Sequence, residues 1–197
     1  MGYITNLLRH ANNPLSVLAA EGRVFDFNTS AINTTVTGTT TLANTTPTWL
    51  LDLPSGVTAI PVLAALQQAG TVAGAAVQVI MEKDNADRYT SGGTAMTIYN
   101  DMGNSVPSSG GVSPAMYSRV GSAITATDAY GIQMWAPLVG QDVSPAEGVT
   151  NELVWTPPGA LDIIKGPGAW LINTNAGTTG PTWHGYFKVV LFLTTEL

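Results

Sequence analysis

From Arg23 to the C-terminus, apolar residues recur at every second position in short runs that end at Gly or Pro. Val77, Val79 and Met81, for example, alternate with Gln78, Ile80 and Glu82. A period of two is the pattern of a β-strand with one buried face. The chain also contains 21 Gly, 12 Pro and many Thr, which favour strands and turns over helices. We therefore predict an all-β protein. About eight to ten strands suit a single jelly-roll-like sandwich better than a seven-stranded immunoglobulin fold.

The segment from Trp183 to Thr195 is the strongest strand candidate, because both of its faces are apolar. Such a strand is predicted to be central and covered on both sides. One face carries Phe187, Val189, Leu191 and Leu193, and the other carries Tyr186, Val190 and Phe192.

Two further features concern the borders of strands. The apolar run from Val57 to Leu66 is interrupted by Pro61, which lacks an N–H group, so we predict an edge or a bulge there. The polar segments from Lys83 to Gly93 and from Asn100 to Pro114 are predicted to be loops, and the second of these to be exposed.

Residues 1–22 differ from the rest and are predicted to form an N-terminal arm with a helical turn or two, preceding one β domain over residues 23–197. Asn13 and Pro14 suit the cap and first position of a helix that ends near Gly22. The arm can fold back on its own domain or reach a neighbouring subunit. Its apolar residues at helical spacing are Ile4, Leu7, Leu8 and Ala11, followed by Leu15, Val17, Leu18 and Ala19.

Charge and cysteine content exclude several classes of function. Only 10% of the residues are charged and the net charge is −6, so the chain is poorly suited to binding nucleic acid. The absence of Cys excludes disulfides, thiolate zinc sites and cysteine nucleophiles. No apolar run is long enough to span a membrane. The first 15 residues do not have the pattern of a signal peptide.

No catalytic motif is present, and we expect neither enzymatic activity nor a cofactor or metal. His10 and His184 are the only histidines, too few for the ligand cluster of a cupin. The segment from Asp84 to Asp87 lacks the glycine and closing glutamate of a calcium loop. The charge cluster around it is therefore interpreted as a solvated loop with local ion pairs; its members are Glu82, Lys83, Asp84, Asp87 and Arg88. The five Trp are interpreted mainly as core or interface residues.

Several turn-and-strand segments resemble jelly-roll cement (decoration) proteins encoded in the head gene clusters of tailed bacteriophages. These segments are Leu53-Pro-Ser-Gly56 with Ile60-Pro61, Asp87-Arg-Tyr89, Ser91-Gly-Gly-Thr94 and the stretch from Gly168 to Leu193. The likeness covers roughly residues 17–197 and carries over no site residues. It implies a virion component on the capsid surface, made in the host cytoplasm. It also implies a homotrimer that binds the major capsid protein through a shell-facing N-terminal arm.

On this expectation, contacts with other subunits involve the arm and the start of the last strand. Three alternatives remain open. A jelly-roll major capsid protein usually has a basic arm, whereas this arm has only Arg9 and His10 as basic groups. A receptor- or glycan-binding spike would use the loops at 100–114 and 173–181 together with Trp residues, and a carbohydrate-active enzyme would need Glu147 or Glu152. The predicted interface residues are Ile4, Leu7, Leu8, Val17, Leu18, Trp183 and Tyr186.

Overall fold

The computed structural model describes residues 14–29, 34–69, 75–100, 102–127, 131–139, 152–159, 161–178 and 180–196. These contain one α-helix, α1 (Pro14–Ala20), sixteen strands and a final 3₁₀ turn at Thr194–Glu196. In chain order the strands are β1 (Val24–Asn28), β2 (Val36–Thr37), β3 (Trp49–Leu53), β4 (Val57–Ala69), β5 (Val77–Asp84), β6 (Tyr89–Gly92), β7 (Thr94–Ala95), β8 (Thr97–Tyr99), β9 (Ala115–Ser118), β10 (Ile124–Ala126), β11 (Ile132–Trp135), β12 (Leu138–Val139), β13 (Glu152–Trp155), β14 (Ile164–Lys165), β15 (Gly168–Ala176) and β16 (Thr182–Leu193).

The strands form two packed sheets and a small ribbon. Sheet I has the order β13-β4-β16-β1-β8, with β14 also paired to β4 and β2 to β16. Sheet II has the order β11-β5-β15-β3-β9-β7, with β12 also paired to β5. Strands β6 and β10 pair only with each other, in what we call the outer ribbon. The prediction of an all-β, jelly-roll-like sandwich preceded by a short helix is confirmed.

The jelly-roll character comes from a long antiparallel pairing that crosses between the sheets. In sheet I, β4 pairs with β16, from Val57 opposite Leu193 onward. Farther along the same two stretches of chain, β5 pairs with β15 in sheet II, as far as Asp84 opposite Ala169. The two stretches therefore pass together from one sheet to the other, which places the sheets face to face.

Aromatic rings from both sheets fill the space between them. Phe187 of sheet I meets Trp49 and Trp170 of sheet II with ring centroids 5.5 and 5.7 Å apart, both edge to face. Trp155 lies 5.9 Å from Trp170. These Trp residues and Trp183 are almost completely buried. The interpretation of the Trp residues as packing residues is confirmed for these four, and the packing is in the core.

The central position predicted for the last strand and the irregularity predicted at Pro61 are confirmed, but within the described ranges the outer face of β16 is covered only near its C-terminal end, where Val190 and Phe192 pack with Leu18 of α1. β16 lies between β4 and β1 in sheet I, and its alternate residues face the core. Its register with β4 shifts between Lys188 and Val189, where β4 has one extra residue beside Pro61. On the other side of β4, β14 pairs only up to Ala59 and β13 only from Ala64, which leaves Pro61 at a local edge.

The segment from Lys83 to Gly93 is more ordered than predicted. It contains β6, which pairs with β10 across a bulge. The interpretation of its charged part as a solvated loop is wrong for Arg88, whose side chain is completely buried, although the expected ion pair to Asp84 is present. By contrast, the described part of the 100–114 segment is largely exposed, as predicted, and contains only an isolated bridge between Ser109 and Val112.

The described part of the arm folds back on the domain. α1 ends where Gly22 adopts a left-handed conformation at φ 69°, and the chain then enters β1. Ile4, Leu7 and Leu8 lie outside the described residues. No helix in the described ranges is long and apolar enough to cross a membrane.

Candidate interaction surface

The outer face of sheet II is covered by the outer ribbon. Ile124 and Ala126 of β10 form a buried cluster with Leu50 and Leu171 of the sheet. At its edge, the rings of Tyr89 and Tyr117 stack with centroids 3.9 Å apart and an angle of 3° between their planes. The apolar side chains on this part of the face are therefore already used within one copy of the chain.

Buried Arg88 joins the ribbon to the sheet. Its Nη1 atom lies 3.0 Å from Oδ2 of Asp84 on β5, and its Nε atom donates a hydrogen bond to the carbonyl oxygen of Thr127, 2.8 Å away. Nη2 approaches the carbonyl oxygen of Asn44 at 3.4 Å. One planar guanidinium thus connects three segments of the chain, which a compact lysine ammonium could not do with the same geometry.

Two carboxyl groups of sheet II are partly removed from water. Burial, with a smaller effect of the negative charge of Asp87, raises the pKa of Asp52 to about 6. Burial also raises the pKa of Glu82, although the positive charge of Arg88 opposes this. Among the residues that the structure describes, no three His, Cys, Asp or Glu side chains are grouped so that they could hold a metal ion.

The outer face of sheet I is covered at one end by α1. Leu18 of the helix packs against Val24, Ile60, Val190 and Phe192 in a second buried cluster. These sheet residues alternate along their strands with the core-facing ones, so they lie on the outer side of the sheet.

A groove opens beside α1 on this face, with a volume of about 320 Å³. Its lining is almost entirely aliphatic, and two of the lining residues, Leu15 and Leu161, are 37% and 57% exposed. The apolar side chains that define the groove are Leu15, Leu18, Ile60, Val62, Leu161 and Val190.

The rest of this face is polar and aromatic. Nζ of Lys188 lies 3.1 Å from Oδ1 of Asp26 on the neighbouring strand. Burial and a hydrogen bond to Asp26 raise the pKa of half-buried Tyr186 beside this pair. Tyr99 and Val154, on the flanking strands β8 and β13, are 48% and 53% exposed. Tyr and aliphatic side chains therefore share one sheet surface with an ion pair, and Tyr is among the residues that are enriched at protein interfaces.

The predicted interface residues fall into three groups. Val17 and Leu18 lie on α1, and Tyr186 lies farther along the outer face of sheet I, so the structure places these three on the same side of the molecule. Trp183 requires a correction: it has the same orientation as Phe187, is fully buried in the core and offers no contact area. Ile4, Leu7 and Leu8 lie outside the described residues.

Sequence reasoning missed Val154 and Tyr99 as surface residues. Val154 belongs to the run Leu153-Val154-Trp155, in which three successive apolar residues give no alternation to show which one points outward. Tyr99 follows Ile98, which packs against the core, so an alternation was present there but short.

His184 is half-buried at the end of this face, across β4 from Glu152.

Comparison with protein-family models, with curated proteins and with solved structures found no match for this chain. Its function is therefore inferred from its own residues and their arrangement.

Proposed function

We propose that this chain is a capsid cement protein, which binds the outside of a tailed-phage head as a homotrimer and connects neighbouring capsomers of the major capsid protein. The observation that carries the proposal is the unequal covering of the two sheets. Among the residues that the structure describes, the outer ribbon covers the apolar cluster of sheet II, whereas α1 covers only one end of sheet I. The remainder of sheet I presents Tyr99, Val154 and Tyr186.

The composition of this face supports a binding role. Tyr side chains provide large, rigid contact areas at low entropic cost and are enriched at interfaces. Asp26 and Lys188 are ion-paired within the chain, so a partner that covers them does not leave either charge without a counterpart. Covering this pair still costs desolvation energy, so the Tyr and Val side chains of the face have to supply the favourable part of the contact.

Repetition over a shell would make a modest contact effective. Each Å² of apolar surface removed from water contributes about 25 cal/mol. Three linked copies bind with a higher effective concentration than one, so a trimer on a three-fold position gains affinity without new contacts. A low content of charged residues, here 10%, suits a protein whose surface is in permanent contact with other subunits.

The alternative of a glycan-binding spike has less support, because four Trp side chains are in the core and cannot stack on a glycan. These are Trp49, Trp155, Trp170 and Trp183. The cement proposal does not depend on these residues.

The test compares charge substitutions on the two outer faces. We expect Val154→Asp and Tyr99→Asp to weaken trimer formation or binding to cement-free heads by about tenfold or more, because a charge is introduced into a desolvated contact. Thr125→Asp is the matched control, since Thr125 is exposed on β10 of the outer ribbon, on the opposite side of the molecule.

Mass by light scattering reports the oligomer, and co-sedimentation with heads of the phage that encodes the chain reports attachment. Thermal unfolding checks that each variant is folded. A wild-type chain that stays monomeric at micromolar concentration and does not sediment with heads would refute the proposal. Equal loss in all three variants would show that the outer face of sheet I is not the contact surface.

A further inference from the structure

The ring contact between Tyr89 and Tyr117 differs from the ring contacts in the core. Its centroids are 3.9 Å apart and its planes are within 3° of parallel. The ring pairs between the two sheets have centroids 5.5 to 5.9 Å apart and are tilted or edge to face. The separation of the two Tyr rings is also below the range of about 4.5–7 Å that is usual for aromatic pairs. Carbon atoms of the two rings are therefore in van der Waals contact.

The two hydroxyl groups lie at the same end of this stack. Burial, and then the interaction with Tyr89, raise the pKa of Tyr117 to about 12, so its hydroxyl group is protonated at neutral pH. The hydroxyl group of Tyr89 donates a hydrogen bond to the carbonyl oxygen of Gly92, 3.0 Å away. In parallel rings with adjacent hydroxyl groups, equivalent carbon atoms face each other. The ortho carbons, next to each hydroxyl group, are therefore opposite one another.

Strand pairing holds both rings in this position. Tyr117 is in the middle of β9, opposite Leu50 of β3 on one side and Ala95 of β7 on the other. Tyr89 begins β6 and is paired with Ala126 of β10. Both side chains are half-buried, so they are ordered by packing and still accessible to a small reagent. Two groups that are held in contact react with each other at a very high effective concentration.

We propose that Tyr89 and Tyr117 form an oxidative cross-linking site, at which a one-electron oxidant joins the outer ribbon to sheet II through a dityrosine bond. Each phenol gives one electron to the oxidant and its hydroxyl proton to water. The two phenoxyl radicals then form a carbon–carbon bond between their ortho carbons. The hydrogen atoms on these two carbons leave as protons, and both oxygen atoms take up a proton again. The product has two hydrogen atoms fewer than the reactants, and two equivalents of oxidant are consumed.

Such a bond would give this chain a covalent link that its composition otherwise denies it. The chain has no Cys, so a disulfide cannot join the ribbon to the sheet. A dityrosine bond closes the chain between residues 89 and 117 and restricts the unfolded state as a disulfide does. The cross-linked chain is therefore expected to unfold at a higher temperature. The inference is independent of the cement proposal.

Photo-oxidation of the full chain tests the site. A ruthenium tris-bipyridyl complex under visible light takes one electron from each Tyr, and persulfate is the final acceptor of both electrons. The chain is kept dilute, so that contacts between copies are rare. Trypsin then cleaves after Arg88 and Arg119, and cyanogen bromide cleaves after Met96 and Met116. The expected product is residues 89–96 joined to residues 117–119, with a mass two hydrogen atoms below the sum of the two peptides.

Phenylalanine variants identify the partners. Tyr89→Phe and Tyr117→Phe keep both rings but should each lower the yield of this product and the dityrosine fluorescence by about tenfold or more. Tyr99→Phe is the matched control and should keep the yield of the wild type, because Tyr99 lies on β8 of sheet I. A product that persists in either of the first two variants, or a cross-link that joins mainly different tyrosines or different copies, would overturn the proposal.

Unfolding the wild-type chain gives a second readout that does not depend on any variant. In concentrated urea the two rings separate, so the yield of the 89–117 link should fall about tenfold or more, because the coupling depends on the folded geometry. An equal yield in the folded and unfolded chain would show that the stack does not direct the reaction. Oxidation of the folded chain that modifies other tyrosines and forms no 89–117 link would also refute it.

Discussion

Gly185 shows how closely individual residues are packed between the sheets. A Cβ atom at this position would lie 2.8 Å from Cε2 of Phe187 and 3.0 Å from Cε2 of Trp49. Neither ring can move freely, because both are fully buried and Phe187 also contacts Trp170. Residue 185 therefore has to be Gly, because a Cβ atom does not fit between the rings of Phe187 and Trp49.

We expect Gly185→Ala to lower the free energy of unfolding by about 1–3 kcal/mol, the usual cost of an extra carbon atom in a well-packed core. Gly177→Ala is the matched control, because a Cβ there has its nearest neighbour at 3.7 Å, an ordinary contact. Urea denaturation of both variants provides the measurement. A Gly185→Ala variant as stable as the control would show that the core is looser than described.

At the scale of elements, a buried cation joins the outer ribbon to sheet II. Arg88 precedes β6 directly and bonds to Asp84 of β5 and to the carbonyl oxygen of Thr127, just after β10. Both strands of the ribbon are thus held close to sheet II by the same side chain.

Replacing this cation should be costly. We expect Arg88→Met to reduce the stability by about 3–5 kcal/mol, because it leaves Asp84 and a carbonyl oxygen without their partner in a partly buried place. The control is Arg23→Met, which breaks a more exposed ion pair to Glu196 and should cost about 1 kcal/mol or less. Thermal unfolding measures the difference, and similar losses in the two variants would contradict the role given to Arg88.

At the scale of the whole molecule, the partly buried carboxyl group of Asp52 in sheet II should make stability depend on pH. The pKa of Asp52 is about 6 in the folded chain, above its usual value of 3.8. The protonated form is therefore favoured by folding. Its contribution is fully present below pH 3.8 and is lost as the pH rises through 6.

Asp52→Asn keeps the shape of the side chain and removes its charge. We expect the variant to be more stable than wild type at pH 7 by about 1–2 kcal/mol, less than the full shift implies because solvent screens a partly exposed group. The gain should shrink toward zero at pH 4. Denaturant unfolding at pH 4, 5, 6 and 7 measures it, and a gain that does not change with pH would exclude titration of Asp52 as the cause.

Local patterns in the sequence were sufficient for much of the fold. β3 over Trp49–Leu53 follows from a short apolar run that ends before Pro54, and the long strand β16 follows from its apolar residues on alternate faces, because both effects act within a few neighbouring residues. The bulge at Pro61 follows from the missing N–H group in the same local way. The short strand β6 was missed because its pairing with β10 joins residues far apart in the chain.

The candidate surface was only partly predictable for the same reason. Alternation alone separates Trp183 and Phe187 from Tyr186 and Val190 along β16, but it does not say which set faces the second sheet. That choice depends on Trp49 and Trp170, which come from strands more distant in sequence. The sequence by itself therefore determined where the strands lie and how their faces alternate. The tertiary structure alone decided that Arg88 is buried, that Trp183 belongs to the core and that α1 packs over one end of sheet I, because burial depends on contacts between distant segments.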